Sequence, residues 1–289
     1  MHPQRTEFTE TEAQEIVRIA AERGWQIAAH EHMRIVNHRA YRLAVDEYGA
    51  QLRFLLPLSP DASVLQVRCD WGRVALNLGT WTGSTIAMDD REARVRFVSA
   101  RRFHMGANRL HIVRGSPLPN LPFVDDAFDA VILLDVLERA QVRGANWKTI
   151  QRKSLDEAKR VLRSGGSLLL DSANRLGFGR AKIESPSYPR TYWGYHQILR
   201  NAGFRDIQFY GSLPSHHEPF FILPLRGRRL LKHLIDKMFS AEDYRSKLEE
   251  RGLGFVYRLA WAMWRMTRHL GVAGLVRYVV PSYVILARK

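Results

Sequence analysis

Only one cysteine, Cys69, occurs in 289 residues. A lone thiol excludes an intramolecular disulfide and a multi-cysteine zinc site, and suits a reducing compartment. No apolar run reaches the roughly 18 residues that a membrane span needs. The first residues, MHPQRTEFTETEAQEIV, carry acids early and have no apolar h-region, so no secretory signal is expected. A cytoplasmic location follows, with contact to a membrane at most peripheral. Acidic residues are the scarce class: 29 Asp and Glu face 44 Lys and Arg, a net charge of +15. From Arg226 to Lys289 there are 14 Lys and Arg against 5 Asp and Glu, a net of +9. Such a surface suits nucleic acid, anionic lipid or an acidic substrate, or simply keeps the protein in solution.

The rest of the composition is ordinary for a globular protein, and this length fits one domain with additions better than two equal ones. The spacing predicts a helix over 6–23, with Thr9 and Glu12 as a capping box, and a second over 31–48. Short apolar runs then alternate with helical segments. Strands are expected at Val64–Val67, Thr85–Met88, Leu110–Val113, Phe128–Leu134, Ser167–Leu170 and Arg205–Tyr210, with a further one at Phe220–Leu223. Alternation at this spacing predicts an α/β fold with a doubly wound sheet. The amphipathic run Arg228–Phe239 and the aromatic, basic run Gly254–Leu270 follow. The second suits either a helix capping the domain or an interfacial membrane helix. Tyr283–Ala287 reads as a final strand. His216, His217 and Glu218 invite a metal reading, but neighbours on an extended segment point to opposite sides, so no metal site is expected.

The chain is organised around Val64–Gly79, VLQVRCDWGRVALNLG. A strand, a sharp turn at Cys69-Asp70-Trp71-Gly72 and a helix would bring backbone N–H groups to a ligand. Asp89-Asp90 follows the next apolar run, where a carboxylate can take the two hydroxyls of a ribose. This resembles the cofactor site of class I S-adenosylmethionine-dependent methyltransferases, whose usual form is close to V-L-D-L-G-C-G-x-G. Gln66 stands at the acid, Arg68 and Asp70 at two of the glycines, and Gly72 is kept. Leu121–Val131, LPFVDDAFDAV, is similar to the family's L-P-F-x-D-x-x-F-D-x-V, and Leu155–Leu170 to its E-x-x-R-V-L-x-P-G-G-x-L, with Ser164 in place of proline. The resemblance runs from about Val64 to Gly211. A narrower likeness, to a bacterial subgroup linked to surface-polysaccharide and natural-product biosynthesis, rests on Ala173–Gly179 (with Ala173 for an acid), Tyr192–Tyr195, Leu199–Phe204 and Leu213-Pro214-Ser215 with Pro219.

The resemblance implies a mostly parallel sheet of the seven-stranded, Rossmann-like type. It would carry an N-terminal helical addition (1–58), a methyltransferase-like core (59–225), a basic, aromatic helical insertion (226–278) and a strand returning to the sheet (279–289). It implies S-adenosylmethionine as cofactor. Arg68, Cys69, Asp70 and Gly72 would line its methionine part, and Asp89, with Asp90, would hold the ribose. Ser116 and Pro117 would lie at the adenine. The plain alternatives are a βα turn, a helix N-cap and a shaped loop. Asp135 and Glu138, after the fourth strand, are the candidate catalytic residues; Glu138 would be the base, its plain alternative being a partner for Arg139 or Arg143. The expected activity is methyl transfer to an oxygen or nitrogen of a small-molecule or glycan-linked acceptor. A second reading is a methyltransferase-like interaction module that has lost cofactor binding, and a third is an RNA methyltransferase, for which only the charge speaks. No N-P-P-Y follows the fourth strand and the only cysteine lies in the turn, which argues against amino-adenine and cysteine-nucleophile pyrimidine enzymes. The insertion 226–278 would meet a membrane surface or a protein partner, with nucleic acid the weaker expectation.

Overall fold

Strands buried on both faces build the centre of the molecule. In the computed structural model the residues described are 7–45, 47–116, 118–139, 146–177, 187–215, 219–240, 254, 258, 261–262, 264–265 and 272–289. Eight strands form one sheet: β1 (Ser63–Val67), β2 (Ser84–Asp89), β3 (Leu110–Arg114), β4 (Phe128–Leu133), β5 (Leu162–Ala173), β6 (Arg205–Pro214), β7 (Pro219–Pro224) and β8 (Ser282–Arg288). Their order is β3-β2-β1-β4-β5-β8-β6-β7. The first five pair in parallel, and β8 runs antiparallel between β5 and β6. Leu65, Val67, Val131, Leu133, Leu168 and Leu170 face one side of the sheet, and Val64, Ala130, Ile132 and Leu169 face the other. Helices cover both sides, so the central strands read as near-continuous apolar runs.

The first face is covered by α7 (Trp147–Val161) and α8 (Tyr192–Asn201), and α9 (Arg228–Ser240) adds Leu231 and Ile235 to the same cluster. The second takes α5 (Arg73–Gly79) and the 3₁₀ segment Glu47–Leu55. Then α6 (Glu92–His104) carries the N-terminal helices on its Phe97 side. Strand order reverses between β1 and β4. The loops after these two strands therefore diverge and leave a crevice at their carboxyl ends, the place where open α/β sheets bind ligands.

The two motif passages Leu121–Val131 and Leu155–Leu170 lock onto each other. Arg160 donates to the carbonyls of Leu121 and Phe123 at 3.0 and 2.8 Å, and Glu157 accepts from the Leu121 N–H at 3.0 Å. Asp129 takes the Ser63 N–H at 2.8 Å and Arg163 at 2.7 Å. Asn174 donates to the carbonyls of Tyr278 and Val280 at 2.9 and 2.8 Å, tying the end of β5 to the segment before β8.

At the N-terminus Thr9 caps α1 (Glu10–Arg23) with the full capping box. The expected continuous helix over 31–48 is broken instead. α2 (Trp25–Ile27), a π-turn at Ala28–Met33, α3 (Arg34–Val36) and α4 (His38–Val45) succeed one another. Asn37 leaves helical geometry at φ −152° and accepts the Ala40 N–H at 3.0 Å, a local side-chain bond that competes with the helix. β5 starts five residues before its expected position. The cluster His216-His217-Glu218 and most of Gly254–Leu270 lie outside the described residues. Of that second run, Trp264 is buried and donates to Asp236 on α9 at 2.7 Å. A short helix, α10 (Val276–Val279), leads into β8. No helix among the described residues is long and apolar enough to cross a membrane.

Candidate functional site

The turn between β1 and α5 sets the floor of the crevice. Arg68, Asp70 and Gly72 all take left-handed backbone, at φ +58°, +50° and +89°. Left-handed conformation costs a non-glycine residue about 1–2 kcal/mol, somewhat less for Asp. At Gly72 a Cβ would stand 2.9 Å from both γ-carbons of Val98, so only glycine fits there. The turn thus keeps a glycine-type backbone at alternate positions, although two of the three residues are not glycine.

Two strand ends supply the acids. Asp89 ends β2 with no exposed surface, and its oxygens accept the N–H groups of Asp70 and Arg91, each at 3.0 Å. Asp135 follows β4 with φ +53°, and its N–H donates to Asp171 at 2.5 Å. Both Asp135 and Asp171 line the crevice, together with Gln66, Cys69, Trp71, Val74 and Leu134. The Gln66 side chain is 3% exposed, and its Oε1 finds no partner among the described residues.

Arginines bind these acids into one cluster. Arg94, on α6, lies 2.7 Å from Asp70 and 3.6 Å from Asp89. Arg68 lies 3.5 Å from Asp70 and donates to the Asp135 carbonyl at 3.3 Å. Arg139 pairs with Asp135 at 2.8 Å. Glu7 then closes the crevice from the N-terminal side. Its carboxylate is 2.8 Å from Arg68, 3.2 Å from Arg91, 3.4 Å from Arg139 and 3.5 Å from Arg94. About 70 Å³ of free space remains, room for a few water molecules.

Burial and charge pull against each other here. Burial pushes the Asp89 carboxyl up to about 6, because the pull of Arg94 does not make up for lost hydration and Asp70 repels its charge. Burial also pushes Asp70 up, but Arg94 and Arg68 outweigh it and hold that carboxyl below the usual range. Burial pushes the Cys69 thiol well up, so it is no nucleophile at neutral pH. Arg68 loses hydration too, yet Asp70, Asp135, Glu7 and Asp89 keep it firmly charged.

Of the residues expected at the site, Cys69 and Asp70 (cofactor) and Asp135 (catalytic) line the crevice, and Arg68, Gly72 and Asp89 form the turn and acid beside it. Asp90 and Ser116 are exposed, and Pro117 lies outside the described residues. Glu138 is 1% exposed and does not line the crevice. It accepts from Ser172 Oγ at 2.5 Å, the Ala173 N–H at 2.6 Å and Ser187 Oγ at 3.1 Å. Burial and the nearby Glu138 raise the pKa of Tyr195, whose hydroxyl meets Ser172. Glu138 is thus the hub of a buried network that fixes the end of β5. Glu7, Arg91 and Arg94 were not singled out from sequence. Glu7 lies 61 positions before Arg68, and no local pattern links them.

The donor set fits the cofactor that the sequence suggests. Gln66 Oε1 and Asp89 can accept from amine and hydroxyl groups, and the arginines can hold its carboxylate. In the conformation described Glu7 lies against three of these arginines, Arg68, Arg94 and Arg139.

Residues 65–170 match a protein family described as a methyltransferase domain. No curated protein matches the chain. Among solved structures it is similar to the [4+2]-cyclase SpnF, at 16% identity and a TM-score of 0.53 over 84% of this chain and 80% of that one. A second is a possible histamine N-methyltransferase of Thermotoga maritima, at 15% identity and a TM-score of 0.51 over 96% and 99%. A third is a Haemonchus contortus phosphoethanolamine N-methyltransferase bound to S-adenosylhomocysteine, at 16% identity and a TM-score of 0.51 over 83% and 52%.

Proposed function

We propose that the chain transfers the methyl group of S-adenosylmethionine to an oxygen or nitrogen of a small-molecule or glycan-linked acceptor, a reading supported by the match of residues 65–170 to a methyltransferase domain. The observation that carries this reading is the strained turn. Arg68 and Asp70 hold left-handed backbone that neither residue prefers, next to a buried Asp89. Strain of this kind persists where function requires the geometry. When bound, the cofactor would supply an electrophilic methyl on a sulfonium, and the turn at Arg68–Gly72 with Asp89 would hold it. The protein's share is orientation, exclusion of water and removal of the acceptor's proton. Asp135 stands on the crevice wall beside Arg139 and is the group we assign to the acceptor side. Glu138 keeps that wall rigid.

The second reading, a methyltransferase-like module that binds no cofactor, is favoured by the arginine–carboxylate cluster that fills the crevice. Methyl-labelled S-adenosylmethionine and a panel of hydroxyl, amine and glycan acceptors separate the two. The first reading predicts transfer that falls at least about tenfold in kcat/KM in Asp89→Ala, a loss of about 1.4 kcal/mol of transition-state stabilisation. No transfer to any acceptor, with no binding of the cofactor product, establishes the second.

A further inference from the structure

Four guanidinium groups converge on one carboxylate that belongs to the chain itself. Three of them are held from behind without Glu7: Arg94 by Asp70 and Asp89, Arg68 by Asp70 and the Asp135 carbonyl, and Arg139 by Asp135. The side chains of Arg94, Arg68 and Arg139 are 4%, 14% and 14% exposed. Against these four cations stand three other acids, Asp70, Asp89 and Asp135, while Arg73 and Asp171 on the same wall offset one another. With Glu7 turned away the cradle would carry a surplus of one positive charge, a field that favours an anion there.

Glu7 is also poised to leave. It sits just ahead of the Thr9 cap, so α1 needs no rearrangement when it moves. Phe8 stays anchored edge-on against Trp71, 5.4 Å between ring centres. Asn37 Nδ2 holds the Glu7 carbonyl at 3.2 Å, leaving the side chain to rotate about its own bonds. The small free volume beside the cradle and the unpartnered Gln66 Oε1 mark where a ligand would extend.

We infer that Glu7 is a tethered stand-in for the anionic group of a ligand, and that a ligand carboxylate or phosphate enters this arginine cradle by displacing it. The N-terminal segment then acts as an internal competitor that keeps the crevice shut until such a ligand arrives. The identity of that ligand as the cofactor rests on the function proposed above; the anion subsite does not. The carboxylate can come from the cofactor's methionyl part or the anion from the acceptor.

The test is calorimetric titration of the full chain and its Glu7→Gln variant, which keeps the side-chain volume and removes the charge. The probes are S-adenosylhomocysteine, 5′-methylthioadenosine, which shares the nucleoside but lacks the carboxylate, and inorganic phosphate. Glu7→Gln should bind S-adenosylhomocysteine or phosphate at least about tenfold tighter than the parent chain, since the closed fraction no longer taxes binding. Affinity for methylthioadenosine should stay within about twofold. A gain for S-adenosylhomocysteine assigns the anion to the cofactor; a gain for phosphate alone assigns it to the acceptor and counts against the cofactor reading only. An unchanged affinity for both, or an equal gain for methylthioadenosine, overturns the inference. If Glu7→Gln fails to fold, carbon-detected NMR of the Glu7 side-chain carboxyl on the unmodified chain decides. A change in its chemical shift on saturation with either anion supports displacement, and an unchanged shift with both refutes it.

Discussion

Replacing Gly72 by alanine tests whether the turn is as tightly determined as its geometry implies. Gly72 sits at φ +89°, and an added Cβ would meet both Val98 γ-carbons at 2.9 Å and Leu76 Cδ1 at 3.0 Å. Val98 and Leu76 have no exposed surface, so neither has room to withdraw. The left-handed backbone costs alanine about 1–2 kcal/mol. Forcing a methyl into a close-packed site costs about 1–3 kcal/mol more. Alanine recovers roughly 0.4–1 kcal/mol by stiffening the unfolded chain. The expected net loss is about 2–4 kcal/mol. Gly106 isolates the packing contribution, for it is left-handed at φ +64° with nothing within 4 Å of the added carbon. Urea unfolding of Gly72→Ala and Gly106→Ala, at equal m-values, should therefore differ by about 1–3 kcal/mol. A Gly72→Ala variant no less stable than Gly106→Ala would refute the argument that the turn is clamped between α5 and α6.

Arg101 anchors the N-terminal helices to the sheet by donating to the Ala44 and Trp71 carbonyls, both at 3.1 Å, and lying 4.7 Å over the Trp25 ring. Burial lowers its pKa to about 10. Arg101→Met relieves that desolvation but orphans two buried carbonyls, so a net loss of about 1–3 kcal/mol in thermal unfolding is expected, and a gain would contradict it. Asp89 should titrate near 6 in a carbon-detected carboxyl NMR experiment. Its folded value lies above the unfolded one, so its ionisation weakens the fold by up to about 3 kcal/mol as pH rises from about 4 to 6, with no penalty below that window; titration at or below pH 4 would refute the burial argument. Glu138→Ala should cost about 3–5 kcal/mol by stranding the donors from Ser172, Ala173 and Ser187. An unchanged melting temperature together with lost activity would instead make it a catalytic base.

The sheet was legible in the sequence because its physics is local. Val64–Val67 and Phe128–Leu133 are buried on both sides and so read as apolar runs, each broken by a single polar residue, Gln66 and Asp129. The motif passages at Leu121–Val131 and Leu155–Leu170 could be matched because Arg160 and Glu157, and Arg163 with Asp129, make fixed contacts between them. The late strand was expected, and it inserts between β5 and β6. The crevice was only half legible. Its floor lies in one contiguous turn, so Arg68, Asp70 and Gly72 could be named together. Its roof comes from Glu7, whose partners are scattered from Arg68 to Arg139, and nothing in a one-dimensional pattern joins them. Glu138 looked catalytic because its position after β4 is exposed to reasoning by analogy, whereas its side chain turns inward to Ser172 and Ala173. The break at Asn37 was missed because a side-chain bond to Ala40, and not hydrophobic spacing, ends the preceding helical segment there.

The most direct test of the central claim is a calorimetric titration of S-adenosylhomocysteine into the unmodified chain, with Asp89→Ala as control. Saturable one-to-one binding that the substitution abolishes is the predicted result. Heat no different from dilution at millimolar ligand, in both chains, would contradict the claim that this crevice serves a cofactor.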